Sequence, residues 1–253
     1  MKNIIYLLFT LIVLSSCKSV DRTIDLKFND FVDTIKKPFI SETIVNYSEP
    51  VVTSDINTNS VLPDEVNIDV PFISQAPFAN WDELHEEACE EASLLIVHNF
   101  LQGIKKISNE DADKAIISMV NWQVEHYGSH RDLTIEDLAS LAKNYYKYKN
   151  VKTLSDISIE DIKKQLAAGN PVIVPCAGRD LNNPYFTAPG PIYHMLVIKG
   201  YDQNYFITND VGTKRGENYK YKTDILFNAI HDYNGKDENY MRQGTKKMLI
   251  ISN

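Results

Sequence analysis

Positive charge is what this chain has too little of. Against 34 Asp and Glu it sets 26 Lys and Arg, giving a formal net charge of −8 and a pI near 5.3. No basic stretch interleaved with aromatics offsets that balance, so a nucleic-acid partner is excluded. Cysteine is scarce, with three in 253 residues: Cys17, Cys89 and Cys176. Internal repeats and low-complexity tracts are missing. The apolar stretch from Ile4 to Leu14 is too short to span a bilayer. What is present is ordinary globular composition, 43% hydrophobic and 24% charged, enough for one good-sized core with an appendage.

The N-terminus is a different material. Lys2, the apolar stretch and the small residues Ser15 and Ser16 form an export leader rather than part of a fold. Its LSSC ending resembles the lipobox of bacterial lipoproteins, where Cys17 would become the lipidated first residue of the mature chain. The expected organisation is a signal peptide over 1–17, a polar tether or pro-segment over 18–65, and a folded domain over 66–253. That would make the protein a cell-envelope lipoprotein, periplasmic or surface-exposed, with the membrane as a partner through its lipid anchor.

Within the domain, the alternation Val66, Ile68, Val70 predicts a short strand. Four helices follow. The first runs from Cys89 to Leu101 with Gly103 as its stop. The second lies between Ser108 and Gly128, and the third is capped by Thr134 with Asp137 three residues on. The fourth lies between Ser158 and Gly169. After Asn170 the pattern changes to short β-branched or aromatic runs, PVIVPC, YHMLVIKGY, YFITND, ENYKYK and TKKMLIIS, with one short helix near Asp224 to His231. Helices first and an antiparallel sheet afterwards predict an α+β fold.

The chemistry concentrates on WDELHEEACEEASLLIVHNFL, residues 81–101. A thiol at a helix start meets the positive end of the dipole, which favours the thiolate. Asp82, Glu83, Glu86, Glu87, Glu90 and Glu91 oppose it. Glu90 and Glu91 also suit the first helical turn, where acids stabilise a helix. Cys89 therefore needs a nearby imidazole to act as a nucleophile. His85, His98, His126, His130 and His231 sit in polar or helical settings that give them no special role. His194 enters a strongly apolar strand, and Asn209 and Asp210 close the next one, so a hairpin could bring an Asx beside the imidazole. Strand alternation lets only one of Asn209 and Asp210 face it. His85 and Cys89 also have the i, i+4 spacing of two metal ligands, a reading that leaves His194 unexplained. Cys176 ends an apolar strand as a buried, inert thiol, with a Cys89–Cys176 disulfide as the alternative. Trp81 and Trp122 read as core or groove anchors, and Lys214 and Arg215 as a solvated loop.

The spaced set VPFISQAPF, ACEEASLLIV, YHMLVIKGYD and ITNDVGTKRGENYKY resembles papain-like bacterial peptidases related to the bacteriocin-processing (double-glycine leader) peptidases. The resemblance runs from about Val66 to the C-terminus. It implies a papain-like fold, with a helical lobe packed on a C-terminal antiparallel sheet, and a thiol peptidase acting on peptides or proteins. It assigns Cys89 as nucleophile, His194 as base, Asp210 as the residue orienting the imidazole (with Asn209 as the alternative), and Gln75 as an oxyanion donor. No metal or organic cofactor is implied. CEEAS stands where many relatives have Cys-Gly-Pro, and Val211 follows Asp210 where Pro is common. The alternative function is a catalytically weak or inactive papain-like module that binds peptides or glycans.

The leader carries its own test. Cys17→Ser should release or misprocess a chain that otherwise partitions with membranes, read by fractionation and N-terminal mass analysis. A wild-type chain that is wholly soluble with an unmodified N-terminus would contradict the lipobox reading.

Overall fold

The computed structural model describes residues 62–235 and 237–253. Cys17, the leader and the tether as far as residue 61 lie outside the described residues. The described part belongs to one compact unit, Ile56–Asn253.

Its helices form where caps and apolar periodicity coincide. The single turn α1 (Glu83–Glu86) precedes α2 (Cys89–Leu101), which is buried on every side from Cys89 to Asn99 and so forms the axis of the helical lobe. α3 (Asn109–Tyr127) starts at Ser108, whose hydroxyl accepts from the Asp111 amide, and ends at Gly128 in the left-handed region, φ 82°. α4 (Ile135–Asn144) is capped by Thr134. The Ser158–Asp161 capping box opens α5 (Ile159–Ala167). Two short helices follow, α6 (Thr223–Ala229) and α7 (Glu238–Met241).

Seven strands form one antiparallel sheet: β1 (Val66–Asn67), β2 (Asn150–Ser155), β3 (Val172–Ala177), β4 (Tyr193–Tyr201), β5 (Tyr205–Asn209), β6 (Tyr219–Lys222) and β7 (Lys247–Ser252). Their order is β2-β7-β3-β4-β5-β6, with β1 paired to β4. The sheet therefore also recruits β1 and β2 from the helical half. Asn150–Ser155 was not expected as a strand, since four of its six residues are exposed, Leu154 among them, and two are half-buried.

Strands β3 and β4 are buried along their whole length because helices cover both faces. Side-chain alternation divides them between two cores. Ile173, Met195, Val197 and Leu249 pack with α2, α3 and α4. Val172, Val174, Leu196, Ile198 and Met248 pack with Ile162 and Leu166 of α5 and Leu226 of α6. Cys176 belongs to the second core and Cys89 to the first, and both are free thiols.

One buried histidine makes the helical lobe sensitive to acid. His98 of α2 stacks on Tyr146 at 3.9 Å between ring centroids, and its Nδ1 meets the Tyr148 hydroxyl at 2.9 Å. Its Nε2 is buried without a hydrogen-bond partner. Burial lowers its pKa from 6.5 to about 4. Between those values the unfolded chain binds a proton that the folded chain refuses, so stability must rise with pH across this window and fall as the pH drops through it. The loss should approach about 3 kcal/mol, at about 1.4 kcal/mol per unit. Urea unfolding of wild type and His98→Phe at pH 7 and pH 4.5 should show a smaller acid loss in the variant; equal losses would contradict this assignment.

Candidate active site

The site is built where β5 stops. β5 pairs with β4 only from the Val197–Asn209 position onward, so the sheet leaves the peptide groups of Met195 for α2. Ser93, one turn into α2, donates its hydroxyl to the Met195 carbonyl at 3.3 Å, and the Met195 backbone makes a hydrogen bond to the Cys89 thiol. The thiol thus rests on the peptide unit that joins His194 to Met195.

His194 is 2% exposed and its Nε2 lies 2.8 Å from Asp210 Oδ1. Asp210 is held in turn by four donors. The Gly212 amide reaches Oδ1 at 3.0 Å, Asn183 reaches Oδ2 at 3.0 Å, and the Tyr221 hydroxyl makes a short bond to the same Oδ2; His194 completes the set. Burial raises the pKa of Asp210, but His194, Tyr221 and the Gly212 amide outweigh it and hold the carboxyl below the ordinary range. Burial and the Asp210 charge push the Tyr221 hydroxyl up, so it stays a donor. Asn209 does something else. Its amide donates to the Val70 and Pro71 carbonyls at 3.1 and 2.8 Å, pinning the entry segment to the sheet. Asp210, and not Asn209, faces the imidazole.

Cys89, His194 and Gln75 line one cleft of about 880 Å³. Trp81, Glu86, Glu87 and Asp132 lie along it on the helical side, and Tyr185, Phe186, Lys214 and Arg215 on the sheet side. Trp81 is exposed, whereas Trp122 is half-buried and stacks on His126 at 4.0 Å. Arg215 sits over the Tyr185 ring at 4.8 Å. Gln75 lines the cleft, but its amide nitrogen donates to the carbonyls of His85 and Glu86 at 2.8 and 3.1 Å, while Oε1 is buried without a partner. Both N–H groups expected to face an oxyanion are thus turned to the backbone of α1. His85 places Nδ1 against Asp82 at 2.7 Å and Nε2 against Asp113 at 2.9 Å. With both ring nitrogens so engaged, it does not pair with Cys89 as a metal ligand.

The acidic surround of Cys89 differs most from expectation. Glu90 and Glu91 do lie in the first turn of α2, yet both are fully buried. Glu90 accepts the Leu133 amide at 2.8 Å and the Cys89 thiol at 3.1 Å. Glu91 accepts from Gln123. Burial, then the Glu90 charge and Asp132, push the thiol well above its ordinary pKa, against the pull of the Met195 backbone. The helix pole does not prevail here. Asp132 and Asn183 were missed in the sequence because they lie far along the chain from Cys89 and Asp210, and Tyr221, although only 11 residues from Asp210, because no local pattern marks it.

The chain belongs to the Peptidase_C39 like family, which matches residues 67–244. That places it among the cysteine peptidases by family. Among solved structures it is similar to a protein described as a C39-like peptidase from Bacillus anthracis, with 20% identity, TM-score 0.49, and coverage of 76% of this chain and 98% of that one. It is also similar to the cysteine protease CMS1MS2 of Carica candamarcensis, solved with E-64 (12% identity, TM-score 0.39, 76% and 99% covered). A third is xylellain, a cysteine protease from Xylella fastidiosa (14%, 0.31, 83% and 99%). No curated protein matches the sequence.

Gly212 exposes how closely the imidazole is held. A Cβ there would stand 2.8 Å from His194 Cε1 and 2.9 Å from the Phe186 ring, closer than real contacts allow. Gly212→Ala should displace the ring and reduce kcat by about 10–100-fold, the scale of an ångström-level misplacement, with little loss of Tm. Unchanged turnover would mean that the ring position is immaterial.

Proposed function

We propose that the protein is an envelope-anchored thiol peptidase in which Cys89 is the nucleophile, His194 the proton carrier and Asp210 the residue that orients it. The observation carrying this reading is the His194 Nε2–Asp210 Oδ1 bond of 2.8 Å, made by a buried pair in the cleft that Cys89 lines. With Nε2 engaged, Nδ1 is the nitrogen available to the thiol.

The steps follow from these positions. Cys89 loses its S–H proton to His194 Nδ1 as sulfur bonds to the peptide carbonyl carbon, and the carbonyl electrons pass to oxygen. The oxyanion is received at the head of α2. Ala88 provides no side-chain cap there, so first-turn amides, that of Cys89 among them, remain for a ligand. Gln75 joins the oxyanion hole only by exchanging one of its α1 carbonyls for the oxyanion. As the C–N bond breaks, His194 returns the proton to the leaving nitrogen, and water then hydrolyses the acyl thioester. The substrate is a peptide or protein, and Cys17 supplies the membrane anchor.

One observation favours the second reading, a cleft that binds peptides without cleaving them: the resting thiol is buried and hydrogen-bonded to Glu90. Peptide hydrolysis separates the two. It should vanish in Cys89→Ala, and Asp210→Ala should lower kcat on the order of 10²–10⁴-fold with the fold intact. Asn209→Ala should instead lower Tm, since it frees two buried carbonyls. Equal catalytic losses at both positions would remove Asp210 from its role, and hydrolysis surviving in Cys89→Ala would end the peptidase reading.

A further inference from the structure

Glu90 is a fully buried carboxyl that the steps above do not use. Its two oxygens are held from two directions: Oε1 by the Leu133 amide at 2.8 Å and Oε2 by the Cys89 thiol at 3.1 Å. Swinging away would leave the buried Leu133 amide without an acceptor, so the carboxyl is fixed beside the sulfur.

We propose that Glu90 is a further catalytic residue of the site, a proton-holding brake that keeps Cys89 a thiol while Glu90 is ionised and releases it when Glu90 carries its own proton. The inference rests on the peptidase reading of the cleft. In the braked state the only proton of the pair sits on sulfur and is donated to Oε2. Breaking that S–H bond in favour of His194 Nδ1 would place a thiolate against a carboxylate in a buried site. In the released state Oε2 carries a proton. The same transfer from sulfur to Nδ1 then leaves a thiolate that accepts the Oε2–H bond, with no anion beside it.

The surroundings set where the brake engages. Burial and the neighbouring Glu91 push the Glu90 carboxyl well above the ordinary carboxylate range; the Leu133 amide pulls it back and Asp132 adds to the rise. Asp132 also opposes the thiolate directly. From β4, Tyr193 faces both groups, but its hydroxyl is committed to the Leu133 carbonyl at 2.7 Å, and burial with the adjacent Glu90 charge keeps it neutral. The Met195 backbone pulls the other way and favours the anion. Burial and the like charges of Glu91 and Asp132 therefore favour the proton on Glu90, against the pull of the Leu133 amide.

Iodoacetamide alkylation of Cys89 in the full chain, followed by mass spectrometry across pH 5–10, tests this without requiring turnover. Glu90→Gln keeps an oxygen for the Leu133 amide and turns an N–H toward sulfur. It should move the alkylation midpoint down by about one pH unit or more and raise the rate at pH 7 about tenfold, since one unit is a factor of ten. Glu90→Asp, which keeps the charge, should stay slow. An unchanged midpoint in Glu90→Gln overturns the proposal, and so does slower alkylation, which would make Glu90 the base that takes the thiol proton. Should Glu90→Gln fail to fold, the wild-type S–H infrared band of Cys89 gives the answer: it should shift as Glu90 titrates while that of Cys176 stays fixed, and a pH-independent band overturns the brake. A lowered midpoint in a protein that hydrolyses no peptide would retain the brake and refute the peptidase.

Discussion

The early end of β5 is the constraint on which the cleft depends. Because the β4–β5 ladder begins only at Val197, the polar groups of Met195 face α2 instead of a strand. α2 completes the ladder with a hydroxyl and a thiol, from Ser93 and Cys89. A helix buried on all sides is thereby fixed in register against a strand buried on both faces, and the residue before the contact is His194. The chain leaving β5 at the same point turns back through Asp210, whose amide bonds the Gly216 carbonyl at 3.0 Å. One irregular sheet edge thus brings together the thiol, the imidazole and the carboxylate.

The carboxylates around this edge are handled in two opposite ways. Asp210 receives four donors and stays ionised despite complete burial, so it can fix the imidazole and balance a positive charge there. Glu90 receives two donors, one of them the thiol itself, and burial beside Glu91 favours its proton. Neighbouring charge together with hydrogen bonds decides between the two outcomes: His194 and the donors favour the Asp210 anion, whereas Glu91 and Asp132 oppose that of Glu90. The cleft therefore combines an imidazole already oriented with a thiol whose ionisation burial and the neighbouring acids oppose.

Much of the fold was legible because local rules and burial agreed. The caps at Ser108, Thr134 and Ser158 and the left-handed glycines 128 and 169 sit where the apolar periodicity begins and ends. Cys89 and His194 could be picked out by chain order and local pattern, whereas the strand ending left Asn209 and Asp210 open and only the family resemblance favoured Asp210. What could not be read was decided by packing. Glu90 and Glu91 match a solvated first turn in sequence, and only the loop at Leu133 and the side chain of Gln123 reveal them as buried acceptors. Gln75 carries the right amide, but the thirteen residues between it and Cys89 fold back as α1 and engage its donors. Asn209 and Asp210 differ by one position in a strand, and the Val70 and Pro71 carbonyls decide which of them turns inward.

The most direct test of the account is chemical trapping of the acyl intermediate. A slowly deacylating peptide ester, quenched in acid and mapped by mass spectrometry, should leave one acyl group on Cys89 of the wild-type chain. His194→Ala should accumulate it far more slowly, and Cys176 should remain unmodified. Ester or peptide turnover without an adduct on Cys89, or an adduct that forms equally fast without His194, would contradict the roles assigned to this pair.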